Sequence, residues 1–340
     1  MNKIFFDKII AIGRSVKNCL NISNYEQETN LNHKLKGIYS HNQALEAAKL
    51  DKNQASEIRS YWKSFNIKCS LLWHQAYIAV NETMDTRYIP ETVFYTRLEP
   101  WFNRMELRLA YKDKNLYHKL FPGIKMPDII LRNINGMYFN GLYEKLERPG
   151  LPKLLQSYTG TFIIKPSLDS GGGKNVLAIR LSDRGIFMED KPVPFDELEQ
   201  AFVKDFLIQC KLGQYELFQR IYPHSLNTLR VLSLRFGGKV HVLSSILKMG
   251  NNGNLVDNES AGGISCGITD AGILKNFAID KNFYKYDIHP YTKAPFSGTE
   301  IPMYNDVIET VMKLHDGLHY FNLVSWDMAI DKMGEVNLIE

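Results

Sequence analysis

The sequence predicts an α+β protein with a helical N-terminal region, on three observations. Residues 42–80 carry apolar side chains at helical spacing. Pro/Gly breaks follow, in LFPGIKMP near 122 and in ERPGLP at 147–152. From about 160 onward, period-two apolar segments alternate with helical ones. The 340 residues allow roughly two or three structural units at about 100–200 residues each, so a single small binding module is excluded.

Taken in order, the first element is an amphipathic helix. Phe5, Ile9, Ile12 and Val16 fall on one stripe, with Lys3, Lys8, Arg14 and Lys17 away from it. Asp7 and Lys8 interrupt the apolar segment that a signal peptide needs. The stripe is expected to dock on its own domain, with peripheral membrane association as the alternative. NQALEAAKLDKNQASEIRSYWKSF and CSLLWHQAYIAV continue the helical cap. YKDKNLYHKLFPGIKMPDII then runs from a short helix through Pro and Gly into an apolar strand. Further strands are expected at 161–165, 175–181, 206–210, 228–236, 239–247, 322–330 and 335–340. Helices are expected at 195–205 and 304–319, with a proline-bearing loop at 289–302.

Composition narrows the function. Lys and Arg total 41 against 37 Asp and Glu, a net charge of +4 without a basic block, which gives no reason to expect a nucleic-acid partner. Cys19, Cys69, Cys210 and Cys266 lie far apart, with neither zinc-site spacing nor the density of a disulfide scaffold. They read as reduced thiols of a cytoplasmic protein. No run of about 18 apolar residues is present to span a bilayer.

Chemistry concentrates in four stretches. FIIKPSLDSGGGKNVLAI, 162–179, joins two strands through Gly171, Gly172, Gly173 and Lys174. Such glycines let backbone N–H groups approach an anion, or simply make a flexible hairpin. The segment is neither a P-loop nor a dinucleotide fingerprint, because Asn175 follows the lysine and a strand, not a helix, follows the loop. Lys165 favours the anion reading, since a lysine ending an apolar strand is drawn inward and needs an anionic partner. In SLNTLRVLSLRF, alternation puts Arg230 on the face of Leu232, Leu234 and Phe236, which implies a bound anion or a paired carboxylate. VDNESAGGISCGI, 256–268, reads as a polar glycine-bearing loop that binds a ligand or turns the chain. VSWDMAIDKMGEVNLIE reads as a hairpin with its turn at 331–334. If Ile330 pairs with Glu335, Asp327 faces Leu338 and shares a face with Glu340, and the two carboxylates can hold Mg²⁺. A three-residue turn would break that parity.

Together, DKNLYHKLFPGIKMP, FIIKPSLDSGGGKN, QYELFQRIYPHSLNTLRV, VDNESAGGI, HPYTKAPFSGTEIP and VSWDMAIDKMGEVNLIE form an ordered set. In that order the chain from about 112 to 340 resembles the sugar-transfer-associated ATP-grasp proteins. The resemblance implies a helical region at 1–100, a first α+β subdomain with the glycine-rich lid at 101–212, and a second with the metal site at 213–340. ATP would lie between the subdomains, with Lys114 and Lys165 on its phosphates and the 170–174 loop closing over them. Gln209, Cys210 and Lys211 would form the hinge that recognises adenine. Arg230, beside Asn227, would hold the transferring phosphoryl group, with Lys248 also in the site, and Asp327 and Glu340 would coordinate Mg²⁺. The implied activity is an ATP- and Mg²⁺-dependent ligase. It phosphorylates a carboxylate and passes the acyl group to an amine or hydroxyl, in cell-surface polysaccharide or glycoconjugate assembly. The implied alternatives are a non-catalytic ATP-binding partner of a glycosyltransferase and an ATP-grasp kinase. Three departures stand out. Tyr215 replaces an expected histidine, and Lys248 replaces an expected arginine. The family pattern also continues to an asparagine two residues past the last glutamate, so either this sequence is a fragment or its metal site is incomplete.

Overall fold

The computed structural model describes residues 22–168 and 171–340. The expected helix through Phe5 and Val16, Cys19, and Ser170 of the glycine loop lie outside the described residues. The helical region contains helices Ile22–His41, Gln43–Ala47, Lys52–Lys63 and Leu71–Asn81. The third is started by a capping box. Asp51 accepts from the Gln54 amide at 2.8 Å, and the Gln54 side chain accepts from the Asp51 amide at 3.0 Å. Ile58, Trp62 and Phe65, at helical spacing, bury together with Val93, Leu98 and Phe102. Among the described residues no helix is long and apolar enough to cross a membrane.

Two antiparallel sheets follow. The first contains β1 (Ile129–Ile134), β2 (Met137–Phe139), β3 (Lys145–Leu146), β4 (Gly160–Pro166), β5 (Leu177–Ser182), β6 (Gly185–Met188), β7 (Lys191–Pro192) and β8 (Phe206–Cys210), in the order β3-β2-β1-β8-β4-β5-β6-β7. The apolar β8 is flanked by β1 and β4, which is why Phe206, Leu207 and Ile208 are all buried. The second contains β9 (Thr228–Phe236), β10 (Lys239–Met249), β11 (Ile264–Ile268), β12 (Leu274–Asp280), β13 (Lys285–Tyr286), β14 (Leu323–Ile330) and β15 (Val336–Leu338), in the order β13-β12-β11-β10-β9-β14-β15. Helix Tyr304–Asp316 packs its Val307, Val311 and Leu314 stripe into the core that Leu229, Val231, Leu247 and Met249 supply. A second cluster joins Leu234 and Leu323, with Leu232 and Phe236, to the helical region through Trp62, Val93 and Phe102. That covers much of the apolar row to which Arg230 belongs.

Three expectations change. The segment 256–268 is not all loop, because 264–268 is the buried strand β11. The glycines that suggested a loop serve close packing instead. A Cβ on Gly263 would stand 2.5 Å from the Asp257 carbonyl oxygen and 2.8 Å from that of Met249. The helix expected at 195–205 stops at Phe202, and the one expected at 304–319 stops at Asp316. The C-terminal hairpin has a three-residue turn, 332–334, with Gly334 at φ +83°. Ile330 therefore pairs with Val336, and Met328 with Leu338. The expected pairing of Asp327 with Leu338 is thus wrong by one residue. The face shared by Asp327 and Glu340 is recovered differently. The amides of Ile339 and Glu340 both donate to the Asp327 carbonyl, at 2.8 and 3.2 Å, so two residues oppose one as in a β-bulge.

Candidate functional site

Strand alternation aims one face of each sheet into a cleft of about 150 Å³. On β4, Phe162 and Ile164 point into the core of the first sheet, which leaves Ile163 and Lys165 to the cleft. Gln209 on β8 pairs with Ile163, and Ala178 on β5 flanks it from the other side. The second sheet contributes Thr228, Lys248 and Asp327, and the 255–258 segment adds Asp257. Lys114 enters from its loop, whose backbone amide donates to the Ser167 carbonyl at 3.0 Å.

The cleft is dominated by buried charge. Asp327 is the hub, with its two oxygens accepting from Arg230 Nε and Nη2, each at 2.7 Å, and one of them also from Lys248 Nζ at 3.1 Å. Burial pushes the Asp327 carboxyl up, but Lys248 and Arg230 outweigh that and hold it below its ordinary value. Arg230 is raised, because its bonds and charge attraction to Asp327 overcome burial. Lys248 also reaches Asp257 at 3.3 Å, and Thr228 donates its hydroxyl proton to Asp257. Burial, with the neighbouring Asp327 charge adding to it, raises Asp257 despite Lys248. Lys114 donates to Glu340 at 2.9 Å. Lys165 is only 8% exposed and makes no ion pair among the described residues. Burial, with repulsion from Lys114 and only Glu340 pulling the other way, lowers its ammonium to about 7.

The glycine loop is docked against the second sheet's loop. Gly172 and Gly173 take φ +79° and +72°, and the Ser260 hydroxyl donates to the Gly172 carbonyl at 3.3 Å. A Cβ on Gly173 would come within 2.7 Å of Asn258 Oδ1 and 3.0 Å of Val256 Cβ. The two glycine-bearing stretches, separate in sequence, therefore meet across the cleft.

The predicted residues divide. Lys114, Lys165, Gly173, Gln209, Lys211, Lys248, Asp327 and Glu340 line the cleft together. Lys174 is exposed and Cys210 packs at the edge of the first core, and neither lines it. The Cys210 amide is already spent on the Asp128 carbonyl at 2.8 Å. Asn227 is buried away from the cleft, where its side chain ties the Phe218 and Tyr222 carbonyls at 2.8 and 2.9 Å. Arg230 lines an adjoining cavity that shares Asp327 and Glu340 as a common wall. Sequence reasoning missed Asp257 and Thr228. The signal for Thr228 was present, two residues before Arg230 on the same strand face, whereas Asp257 sat in a segment whose glycines drew the attention.

A family model described as sugar-transfer associated ATP-grasp matches residues 93–340. No curated protein matches the chain. Solved structures similar to it include three with low identity. An L-amino acid ligase from Bacillus licheniformis has 14% identity and a TM-score of 0.36, covering 74% of this chain and 44% of that one. The VanG D-Ala:D-Ser ligase from Enterococcus faecalis has 14% identity and a TM-score of 0.38, covering 67% and 51%. An N5-carboxyaminoimidazole synthetase from Staphylococcus aureus, complexed with ADP, has 12% identity and a TM-score of 0.37, covering 72% and 45%. The match spans about half the length of these structures.

Proposed function

The chain belongs to the sugar-transfer-associated ATP-grasp family, and on that premise we propose that it is an ATP-dependent ligase that activates a carboxylate for attack by an amine or hydroxyl. The observation that carries the reading is Lys165, a buried lysine that makes no ion pair among the described residues, beside a second buried lysine and under a glycine loop. A polyphosphate supplies the charge that this arrangement lacks.

In this reading Lys114 and Lys165 hold phosphate oxygens. The 171–173 loop, docked on 256–260, excludes water from them. The apolar Ile163, Ala178 and Leu226 flank the base, and the backbone near Gln209 and Lys211 reads its edge. Arg230 and Lys248 turn from Asp327 toward the transferring phosphoryl group and its acceptor. The chemistry asked of the protein is positioning and charge neutralisation, which these groups can supply.

The donor set for magnesium fits in kind. Asp327 and Glu340 are hard oxygen ligands on one wall, and the Glu340 side chain is 38% exposed. Both Asp327 oxygens are bonded to Arg230 or Lys248, so a metal enters there only as one of those cations moves onto a phosphate. Magnesium bound with the nucleotide would neutralise charge on the transferring phosphoryl group. The same locked Asp327 favours a second reading, a nucleotide-binding partner of a glycosyltransferase without turnover. The family description, sugar-transfer associated, supports placing the ligation in polysaccharide or glycoconjugate assembly. The deciding experiment measures ADP release against Mg²⁺ and a panel of acids and amines. Release that requires both metal and acceptor supports the ligase. ATP binding without ADP formation under any acceptor supports the second reading.

A further inference from the structure

The cavity on the Arg230 side of the shared wall measures about 300 Å³, large enough for a small organic substrate. It is built by the second sheet together with residues 94–121, so a segment preceding both sheets shapes it. Asp327 divides the two spaces, because Lys248 reaches it from the nucleotide cleft and Arg230 from this cavity.

Its lining sets Arg108, Lys112 and Arg230 against Glu99, Asp327 and Glu340, and with the ion pairs set apart Lys112 is the cation left over. Asp327 is matched by Arg230 and Lys248, and Glu340 by Lys114. Glu99 is then the remaining carboxylate of the lining, 4.0 Å from Arg108, and burial raises it toward its neutral form although Arg108 and Lys112 oppose this. Lys112 is exposed and makes no ion pair among the described residues. Arg230 spends Nε and Nη2 on Asp327, while Nη1 has no partner among the described residues. The walls combine flat aromatic surface with hydroxyls. Tyr111 meets Phe321 edge-on at 5.1 Å, and the hydroxyls of Tyr95, Tyr111 and Ser325 have no hydrogen-bond partner among the described residues. Aromatic faces with free hydroxyls suit a ring that is apolar on its faces and polar at its rim.

We infer that this cavity seats the acid to be activated, an anionic molecule of hexose size carrying a carboxylate. Arg230 orients the carboxylate toward the shared wall, and Arg108 and Lys112 select for negative charge. The inference rests on the ligase reading above. It adds a specificity surface drawn from residues 94–112 and assigns the acid, not the amine, to this side of the wall.

The test is calorimetric titration of the wild type and of Arg108→Ala/Lys112→Ala with glucuronate, glucose and glucosamine, three probes of one ring size and different charge. Each is run with and without saturating ADP and Mg²⁺. Glucuronate is expected to bind the wild type at least about tenfold more tightly than either other probe, a difference of about 1.4 kcal/mol. The double variant should lose that preference while its ADP affinity changes less than about twofold, which also shows that it is folded. No glucuronate binding, equal binding of the three, or a preference that survives in the double variant would each overturn the inference. If ADP binds normally and glucuronate is not preferred, the cavity assignment fails and the nucleotide reading stands. If glucuronate is preferred and ADP does not bind, the nucleotide reading fails and the cavity assignment stands.

Discussion

Replacing Lys165 by Met removes a group whose protonation should change whenever an anion binds beside it. In the free protein burial, reinforced by Lys114, brings this ammonium down to about 7. At pH 8 about one-tenth of the molecules then carry the proton, whereas at pH 6 about nine-tenths do. A phosphate in contact restores the charged form. ADP binding to the wild type should therefore take up about 0.9 proton at this residue at pH 8 and about 0.1 at pH 6. Proton uptake is read by titrating ADP in buffers of different ionisation enthalpy, and the phosphate's own ionisation cancels in the difference between wild type and Lys165→Met. Affinity should fall by up to about tenfold per pH unit above 7 in the wild type and stay flat over that window in the variant. Without nucleotide the linkage favours the variant. The folded value lies below the ordinary lysine value of 10.5, so the unfolded chain binds the extra proton between about pH 7 and 10.5. Stability thus rises with pH through that window, and the full penalty is present below it. Lys165→Met should accordingly melt at a higher temperature than the wild type at pH 6–7 and gain less from ADP. An uptake difference below about 0.2 proton at pH 8 would falsify the assignment of this lysine to phosphate.

Three further outcomes are expected. Gly173→Ala places a side chain at φ +72° against Asn258 and Val256, so ADP affinity should drop at least about tenfold by titration while the urea midpoint moves little; unchanged affinity would mean that the docked loop does not contact the nucleotide. Asp327→Ala removes the carboxylate of Arg230 and leaves Lys248 with Asp257 alone and should cost up to about 3 kcal/mol in denaturant unfolding, with a loss below about 1 kcal/mol showing the network to be dispensable. His315, buried and bonded to Ser233 and the Phe321 carbonyl, is lowered to about 4 by burial. The unfolded chain therefore binds the extra proton between about pH 6.5 and 4, and stability should decline by up to about 3 kcal/mol as pH falls through that range; His315→Gln should flatten that part of the profile, and an unaltered pH dependence of unfolding would count against it.

Much of the fold was legible because strand and helix periodicities are local. The apolar run of FLIQC and the alternation in TLRVLSLRF match β8 and β9 to the residue, and the helix expected at 304–319 forms as Tyr304–Asp316 over the second sheet. The same periodicity singled out Lys165 and Arg230, since a long cation in an apolar row is anomalous wherever the row packs. What local pattern does not contain is the partner. Arg230 implied a carboxylate or a bound anion, and the choice of Asp327, 97 residues away, follows from β14 aligning beside β9. The C-terminal register turned on the length of a turn that the sequence allows in two forms. Gly334 at positive φ and the β-bulge at Ile339 and Glu340 decided it. Whether Gly171 to Gly173 formed a loose hairpin or an anchored loop depended on where Val256, Asn258 and Ser260 came to rest. Of the cavity beside Arg230 only that arginine was signalled, because its walls come from residues 94–121 and a sheet far along the chain, and the gap between them is tertiary. Strand and helix periodicity is a property of neighbouring residues, whereas a site is a coincidence of distant ones, produced only when two sheets and a helical region bury their apolar faces together.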